Sequence, residues 1–170
     1  MFTTVLFCLF LFSITIQLAY ALYPLGSIFQ LKKQGSISQP LQPVSVIICA
    51  KNEAANLEQH IPAIMAQRYS NDTGKLMYEV IVVNDASDDD TEQVLYRLSQ
   101  QYSNLWSINI PKDADRKLPG KKYALSKAVP HASHELLLLT DADCKPCNDQ
   151  WLAKMVAPLH SGKQLSLIHI

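Results

Sequence analysis

Hydrophobic and polar residues along the chain follow two periods, one typical of buried strands and one typical of amphipathic helices. Short, nearly continuous apolar runs predict four strands, at Val44–Ala50, Tyr78–Asp85, Leu105–Ile110 and Glu135–Thr140. Apolar residues at helical spacing predict four helices, at Asn56–Gln67, Thr91–Tyr102, Lys121–Val129 and Asp149–Leu159. Strands that alternate with helices pair in parallel through right-handed crossovers, and continuously apolar strands are covered on both faces. The pattern therefore predicts an α/β fold with a doubly wound, mostly parallel sheet.

The start of the chain differs from the rest, because no Asp, Glu, Lys or Arg precedes Lys32. Residues 1–23 offer about 20 apolar or near-neutral positions, the length that a helix needs to cross a bilayer. Ala19–Ala21 resembles a signal-peptide cleavage site, but a secretory signal requires a basic residue before its apolar segment. Lys32 and Lys33 follow the segment, and basic residues stay on the cytoplasmic side. We predict a single anchor in the lipid bilayer of the cell membrane, with the following domain on its cytoplasmic face.

The rest of the chain divides by composition. Residues 24–43 have the Gly, Ser, Gln and Pro content of a linker, and residues 44–160 carry the alternating strands and helices. Residues 161–170 do not continue that pattern, so we expect an irregular tail that is not native to the fold. The chain has 15 basic and 15 acidic residues, and this balance favours no nucleic-acid partner.

Polar side chains follow three of the predicted strands. Asn52 and Glu53 come shortly after the first strand, Asp85 ends the second, and Asp141 and Asp143 follow the fourth. Ligands of parallel α/β sheets bind outside the carboxyl ends of the strands, which meet at one edge. We therefore expect these side chains to line one cleft.

The side chains at this edge favour a divalent cation bound through oxygen. Mg²⁺ and Mn²⁺ suit carboxylate ligands, and Mg²⁺ needs only one or two of them beside water and phosphate oxygens. Cys144 and Cys147 form a Cys-x-x-Cys without the second ligand pair of a structural zinc site, and we interpret it as a chance pairing rather than a redox pair. The five glycines, at positions 26, 35, 74, 120 and 162, form neither a G-x-G-x-x-G motif nor a P-loop.

Four segments together resemble a known family. They are "PVSVIICAKNEAANL" (Pro43–Leu57), "EVIVVNDASDDDT" (Glu79–Thr91), "GKKYAL" (Gly120–Leu125) and "LLLLTDADCKP" (Leu136–Pro146). In this order and spacing they look like the family 2 glycosyltransferases, which are inverting, nucleotide-sugar-dependent enzymes of the GT-A fold. The resemblance covers essentially all of Val44 to Leu159. It implies a hexosyltransferase type of activity and a nucleotide-sugar donor, with UDP as the expected nucleotide.

The resemblance also implies which residues hold the nucleotide. In the family, the backbone after the first strand and the acid of an Asn-Glu pair contact it, which corresponds to Ala50, Asn52 and Glu53. The aspartate that ends the second strand contacts the uracil ring, which corresponds to Asp85. Glu53 has an alternative reading, because a carboxylate also stabilises a helix N-terminus.

The diphosphate and the metal ion are implied to bind at the other two segments. The lysine of the family's Gly-Lys element lies near the diphosphate, which corresponds to Lys121, although Lys122 makes the assignment ambiguous by one position. In the Asp-x-Asp pair, Asp141 lies nearer the ribose and phosphates and Asp143 nearer the Mg²⁺ or Mn²⁺, so both are expected at the metal. We expect Asp85, Asp141 and Asp143 to surround one ion. The alternative for the pair is a turn that caps the following helix.

Three further acids, Asp88, Asp89 and Asp90, are interpreted as charges at a helix N-terminus, with Ser87 as its cap. The family's second half, which carries the general base, does not follow Leu159. We therefore expect this chain to bind nucleotide but to be inactive alone, with its acceptor unknown. Two other functions stay open: a metal-dependent nucleotidyltransferase, which normally has a glycine-rich loop after its first strand, and a non-catalytic nucleotide-binding membrane module.

Overall fold

The computed structural model describes residues 2–31, 41–112, 115, 116 and 118–157. The chain divides into two compact units, at residues 1–38 and 39–170. The first unit contains helix α1 (Phe2–Leu31), of which the stretch Phe2–Tyr20 is long and apolar enough to cross a membrane. The helix runs past the expected boundary at residue 23, so the predicted linker 24–43 begins in helical conformation. Pro24 removes only one backbone donor, and the uncharged sequence continues beyond it to Leu31.

The second unit is built on a four-stranded sheet in which every strand pairs in parallel. Its strands are β1 (Val44–Ala50), β2 (Tyr78–Asp85), β3 (Leu105–Ile110) and β4 (Leu136–Asp141), in the order β3-β2-β1-β4. The first three have the predicted bounds, and β4 is shifted by one residue so that it includes Asp141. The central position of β1 explains why its sequence is apolar without alternation, because both of its faces are covered.

Helices cover both faces of the sheet, as a doubly wound fold requires. They are α2 (Ala54–Met65), α3 (Thr91–Gln101), α4 (Gly120–Ala128) and α5 (Trp151–Val156), and a single 3-10 turn (Val129–His131) follows α4. α5 is shorter than the predicted helix Asp149–Leu159, whose last two residues lie outside the described part of the chain, as does the predicted tail 161–170. The predicted fold class is confirmed.

Two hydrophobic clusters fill the space between the sheet and the helices. α2, α3 and α5 pack on one face, against strand residues such as Val46 and Ile48, and α4 packs on the other, against Ile47 and Ile81. Alternate residues of β1 thus belong to the clusters on opposite faces of the sheet, and Val46, Ile47 and Ile48 are completely buried. Burying one such side chain stabilises the fold by roughly 1.5–3 kcal/mol. The sheet is therefore a rigid base on which the strand ends are fixed.

A polar network closes the amino-terminal edge of the sheet. Glu79, which is 7% exposed, accepts hydrogen bonds from the Ser45 hydroxyl (2.6 Å) and from the backbone N–H (2.6 Å) and hydroxyl (3.0 Å) of Ser133. The His134 N–H donates to the Ser45 oxygen (3.2 Å). Burial alone would raise the pKa of Glu79, but these hydrogen bonds and the nearby His134 lower it below its ordinary value. The carboxylate thus ties β1 and β2 to the loop before β4.

This network predicts a pH-dependent contribution to stability. Because the folded state lowers the pKa of Glu79, its contribution is complete above the ordinary value of 4.5 and is lost as the pH falls through the lowered value. We expect Glu79→Gln to reduce the free energy of unfolding by about 2 kcal/mol at neutral pH, and by much less in acid. Urea unfolding of the chain in detergent micelles, followed by tryptophan fluorescence, measures both values. An equal reduction at neutral and acidic pH would contradict the assignment.

Candidate functional site

The strand register brings Asp85 and Asp141 to one face of the sheet. Cys49 pairs with Val83 of β2 on one side and with Asp141 of β4 on the other. Paired residues of neighbouring strands share a face, and so do residues two apart along a strand. Asp85, two residues after Val83, therefore lies on the same face as Cys49 and Asp141. This is the face that α4 covers, and all three lie at its carboxyl edge.

Asp85 is buried beside a cation that the sequence analysis did not assign. Its side chain is 10% exposed, and a guanidinium nitrogen of Arg116 lies 2.7 Å from Oδ1 without the alignment of a hydrogen bond. The guanidinium carbon of Arg116 also lies 5.6 Å from the ring centre of Tyr123 in α4. A buried carboxylate requires a partner, and Arg116 supplies the opposite charge at Oδ1, although no aligned donor reaches that oxygen.

Lys121 lies beside Asp141, and its ammonium group forms an ion pair with Oδ1 of that aspartate. Both side chains are more than a third exposed, so the pair faces the solvent at the sheet edge. Gly120 starts α4 with a φ of +45°, a conformation that favours glycine. Lys122 is exposed and makes no ion pair with a described residue, so the structure places Lys121, and not Lys122, against the predicted acids.

The thiol of Cys49 lies within the field of these charges. Burial raises its pKa to about 11, Lys121 opposes this effect, and Asp141 and Asp85 add to it. Only the thiolate is a strong nucleophile or metal ligand. Burial therefore favours the protonated thiol of Cys49 over the reactive thiolate at neutral pH.

Asp143 lies in the turn after β4 and is exposed. Its Oδ1 is 3.6 Å from the sulfur of Cys144. Among the residues that the structure describes, no group of three or more His, Cys, Asp or Glu side chains is placed to hold a metal ion. The expectation that Asp85, Asp141 and Asp143 surround one ion is therefore wrong, because the Asp85 side chain is buried against Arg116. At most the Asp141–Asp143 pair could offer carboxylates to a metal.

The loop after β1 is held in a defined shape by its polar residues. Ala50 is 2% exposed at the strand end, and Asn52 adopts a φ of +57°, which asparagine tolerates better than most residues. The Asn52 N–H donates to the Ser87 hydroxyl (2.9 Å), and its side-chain oxygen accepts from the Asp88 N–H (2.7 Å). Glu53 makes no side-chain capping bond to α2; its carboxylate accepts from the Asn56 amide (2.6 Å). The two contacts of Asn52 join the loops after β1 and β2.

Asp89 also connects the loop after β2 with the segment after β1. Its carboxylate accepts hydrogen bonds from the N–H and the hydroxyl of Thr91 and from the Ala54 N–H, and the Thr91 hydroxyl lowers its pKa. Asp90 occupies the capping position of α3 without a side-chain bond, and Ser87 instead bonds to Asn52. The prediction that Ser87 caps α3 is therefore wrong.

His60 is a buried polar residue of α2 to which the sequence analysis gave no role. It is 8% exposed, and its Nδ1 lies 3.0 Å from the carbonyl oxygen of Ala142. Ala142 separates Asp141 from Asp143, so the histidine contacts the backbone between the two acids. No sequence pattern signals this contact, because 82 positions separate the two residues.

Comparison with known proteins decides the family. The family described as "Glycosyl transferase family 2" matches residues 45–169, which is more than half of the chain. The chain belongs to glycosyltransferase family 2. The resemblance seen in the sequence is thus confirmed, and the matched range includes all of β1 to α5 apart from Val44.

The family 2 domain has relatives in distant organisms. The chain is 32% identical over 125 residues to "Glycosyltransferase AglE" of Haloferax volcanii, an alignment that covers 74% of this chain and 38% of the relative. It is 26% identical over 162 residues to "Beta-monoglucosyldiacylglycerol synthase" of Nostoc sp., which covers 94% of this chain and 33% of the relative. The chain therefore spans about a third of the length of the curated relatives that it matches.

Solved structures agree with the fold. A mannosyltransferase from Pyrobaculum calidifontis, in complex with GDP-Man and Mn²⁺, superposes with a TM-score of 0.58 at 30% identity over 85% of this chain and 42% of that one. Glucosyl-3-phosphoglycerate synthase from Mycobacterium tuberculosis, in complex with UDP, gives 0.52 at 25% identity over 72% of this chain and 41% of the other. The family 2 domain therefore has the predicted GT-A type of sheet.

Proposed function

We propose that this chain is the donor-binding part of a membrane-anchored, inverting glycosyltransferase, which holds a nucleoside-diphosphate sugar at the carboxyl edge of its sheet. One observation carries the proposal: Asp85, Lys121 and Asp141 lie on one face at that edge, where ligands of parallel α/β sheets bind. Two related structures contain a nucleotide sugar or its nucleotide in a sheet of this type. UDP is the proposed nucleotide, and GDP is the alternative to be compared.

The donor set at the turn after β4 fits a hard divalent cation. Asp141 and Asp143 supply carboxylate oxygens at the exposed end of a strand, and Mg²⁺ or Mn²⁺ requires few protein ligands when phosphate oxygens and water complete the shell. Burial raises the pKa of the nearby Cys49 thiol, which favours the protonated form over a soft thiolate ligand. The mannosyltransferase structure holds Mn²⁺, which supports the same class of ion here.

Each polar residue at this edge of the sheet has a role that its position suggests. Asp85, which ends β2 at this edge, accepts a hydrogen bond from an N–H of the base, and the loop at Asn52 and Glu53 borders the nucleotide. Lys121 leaves Asp141 to neutralise the diphosphate as a point charge. A divalent ion held by Asp141 and Asp143 would supply further positive charge to the departing nucleoside diphosphate. Inversion also requires a general base for the acceptor hydroxyl, and we assign that role to no residue of this chain.

The apolar helix Phe2–Tyr20 is the proposed anchor, with the domain on the cytoplasmic face of the membrane. The names of two relatives, "Beta-monoglucosyldiacylglycerol synthase" of Nostoc sp. and "Dolichyl-phosphate beta-glucosyltransferase ALG5D" of Trichomonas vaginalis, each include a lipid. These names support a reaction at a bilayer surface and make a lipid acceptor the first to test.

Nucleotide binding tests the proposed function directly. We expect the whole chain, in detergent micelles, to bind UDP about tenfold or more tightly with Mn²⁺ than without it, because an ion held by Asp141 and Asp143 would offset the negative charge of the diphosphate. Calorimetric titrations with UDP and with GDP measure the effect and identify the nucleotide. Asp143→Asn should abolish the Mn²⁺ effect. Asp72→Asn, an exposed aspartate in the loop before β2, is the matched control and should preserve it. Binding of neither nucleotide by the unsubstituted chain would refute the proposal.

The two adjacent lysines provide a second test. Lys121→Met should weaken UDP binding in the presence of Mn²⁺ by roughly tenfold, because the diphosphate loses a cation. The same change should tighten the binding of Mn²⁺ alone, since Asp141 is released from its ion pair. Lys122→Met should change neither affinity. The predicted changes in UDP affinity and in Mn²⁺ affinity have opposite signs. Calorimetry measures the first, and the electron paramagnetic resonance signal of free Mn²⁺ measures the second. Equal effects of the two substitutions would contradict the role of Lys121.

A further inference from the structure

We propose that His60 is a positioning residue, which fixes the turn Asp141–Asp143 in the geometry needed to bind the metal–nucleotide complex. The inference rests on the proposed function and extends it to a residue of α2 that lies on the opposite side of the sheet from Lys121. It assigns His60 no contact with the ligand. The histidine acts through the backbone carbonyl of Ala142.

The hydrogen bond to Ala142 defines the state of the His60 ring. A carbonyl oxygen only accepts, so the Nδ1 atom, at 3.0 Å, must carry the hydrogen and donate it. Both groups are buried, with His60 8% and Ala142 5% exposed. In such surroundings neither the imidazole N–H nor the carbonyl has water as a ready substitute partner. The contact is therefore a directional restraint on the turn.

The turn itself has two anchors on the side of α2. The Ala142 methyl group belongs to the hydrophobic cluster between the sheet and α2, and the Ala142 carbonyl is held by His60. The Cys144 N–H also donates to the Asp141 carbonyl (3.2 Å), which closes the turn. With Ala142 held inward, its neighbours Asp141 and Asp143 are directed to the more exposed side of the edge. Loss of the His60 bond would free the peptide that separates the two carboxylates.

The surroundings of His60 argue against a role in packing alone. The buried residues of α2 are Leu57, His60, Ile61 and Ile64, a helical stripe in which only the histidine is polar. An apolar side chain at this position would fill the cluster without the cost of burying a polar ring. α2 also begins directly after Asn52 and Glu53, so one helix connects the loop after β1 with the turn after β4.

Three substitutions separate the hydrogen bond from the volume of the side chain. Asn places its amide nitrogen close to the position of Nδ1, Gln places it close to Nε2, and Leu fills the space without a donor. The measured quantity is the metal-dependent gain, defined as the ratio of the UDP affinities of the whole chain with and without Mn²⁺. Ser45→Ala, which breaks the buried network at the opposite edge of the sheet, is the control for a general loss of stability.

We expect His60→Leu and His60→Gln to reduce the metal-dependent gain by about threefold to tenfold, the effect of one lost hydrogen bond. His60→Asn should restore most of it, and the UDP affinity without Mn²⁺ should stay constant in all three. Ser45→Ala should lower the melting temperature and leave the gain unchanged. A normal gain in His60→Leu, or a gain in His60→Asn as low as in His60→Leu, would overturn the inference alone. A wild-type chain without any gain would overturn the proposed function and this inference together.

Discussion

The parallel register of β1 with its two neighbours is the constraint on which the candidate site depends. Because Cys49 pairs with Asp141 and with Val83, the acids that end β4 and β2 lie on one face, on either side of one thiol. A shift of one residue in either pairing would turn the acid to the opposite face. Buried apolar residues on both faces of β1 fix this register, so the hydrophobic core determines where the charged groups stand.

Both acids at this edge of the sheet are paired with positively charged side chains. Each of the two acids on this face meets a cation from the segment around α4, with Arg116 at Asp85 and Lys121 at Asp141. The exposed pair can exchange partners at little cost, because ion pairs at the surface contribute little to stability. The buried carboxylate of Asp85 is different, since it cannot be left without a partner. Arg116 is that partner, so the buried pair is held in place while the exposed pair can open.

The sequence was sufficient for the sheet and insufficient for the contacts around it. Three strands had the predicted bounds because their apolar runs end at polar residues, and β4 differed by one position. The residues at the strand ends were also predicted, since parallel strands of one sheet share an edge. Arg116, His60 and Asp89 were assigned no part in the site, because their contacts join segments far apart in the chain or depend on the shape of a loop. The prediction of a three-acid metal cluster was wrong for a related reason. Asp85 is buried against Arg116, and the spacing of apolar residues in the sequence does not reveal that contact.

The central claim is that one divalent ion joins the Asp141–Asp143 turn to a diphosphate. Electron–nuclear double resonance of Mn²⁺, bound with UDP to a chain labelled with ¹³C at its aspartate carboxylates, measures both contacts in one sample. We expect ³¹P couplings from the nucleotide together with a ¹³C coupling from the protein, and the ¹³C coupling should vanish when Asp141 and Asp143 are both replaced by Asn. A ¹³C coupling that survives the double replacement, or ³¹P couplings without any ¹³C coupling, would contradict the account.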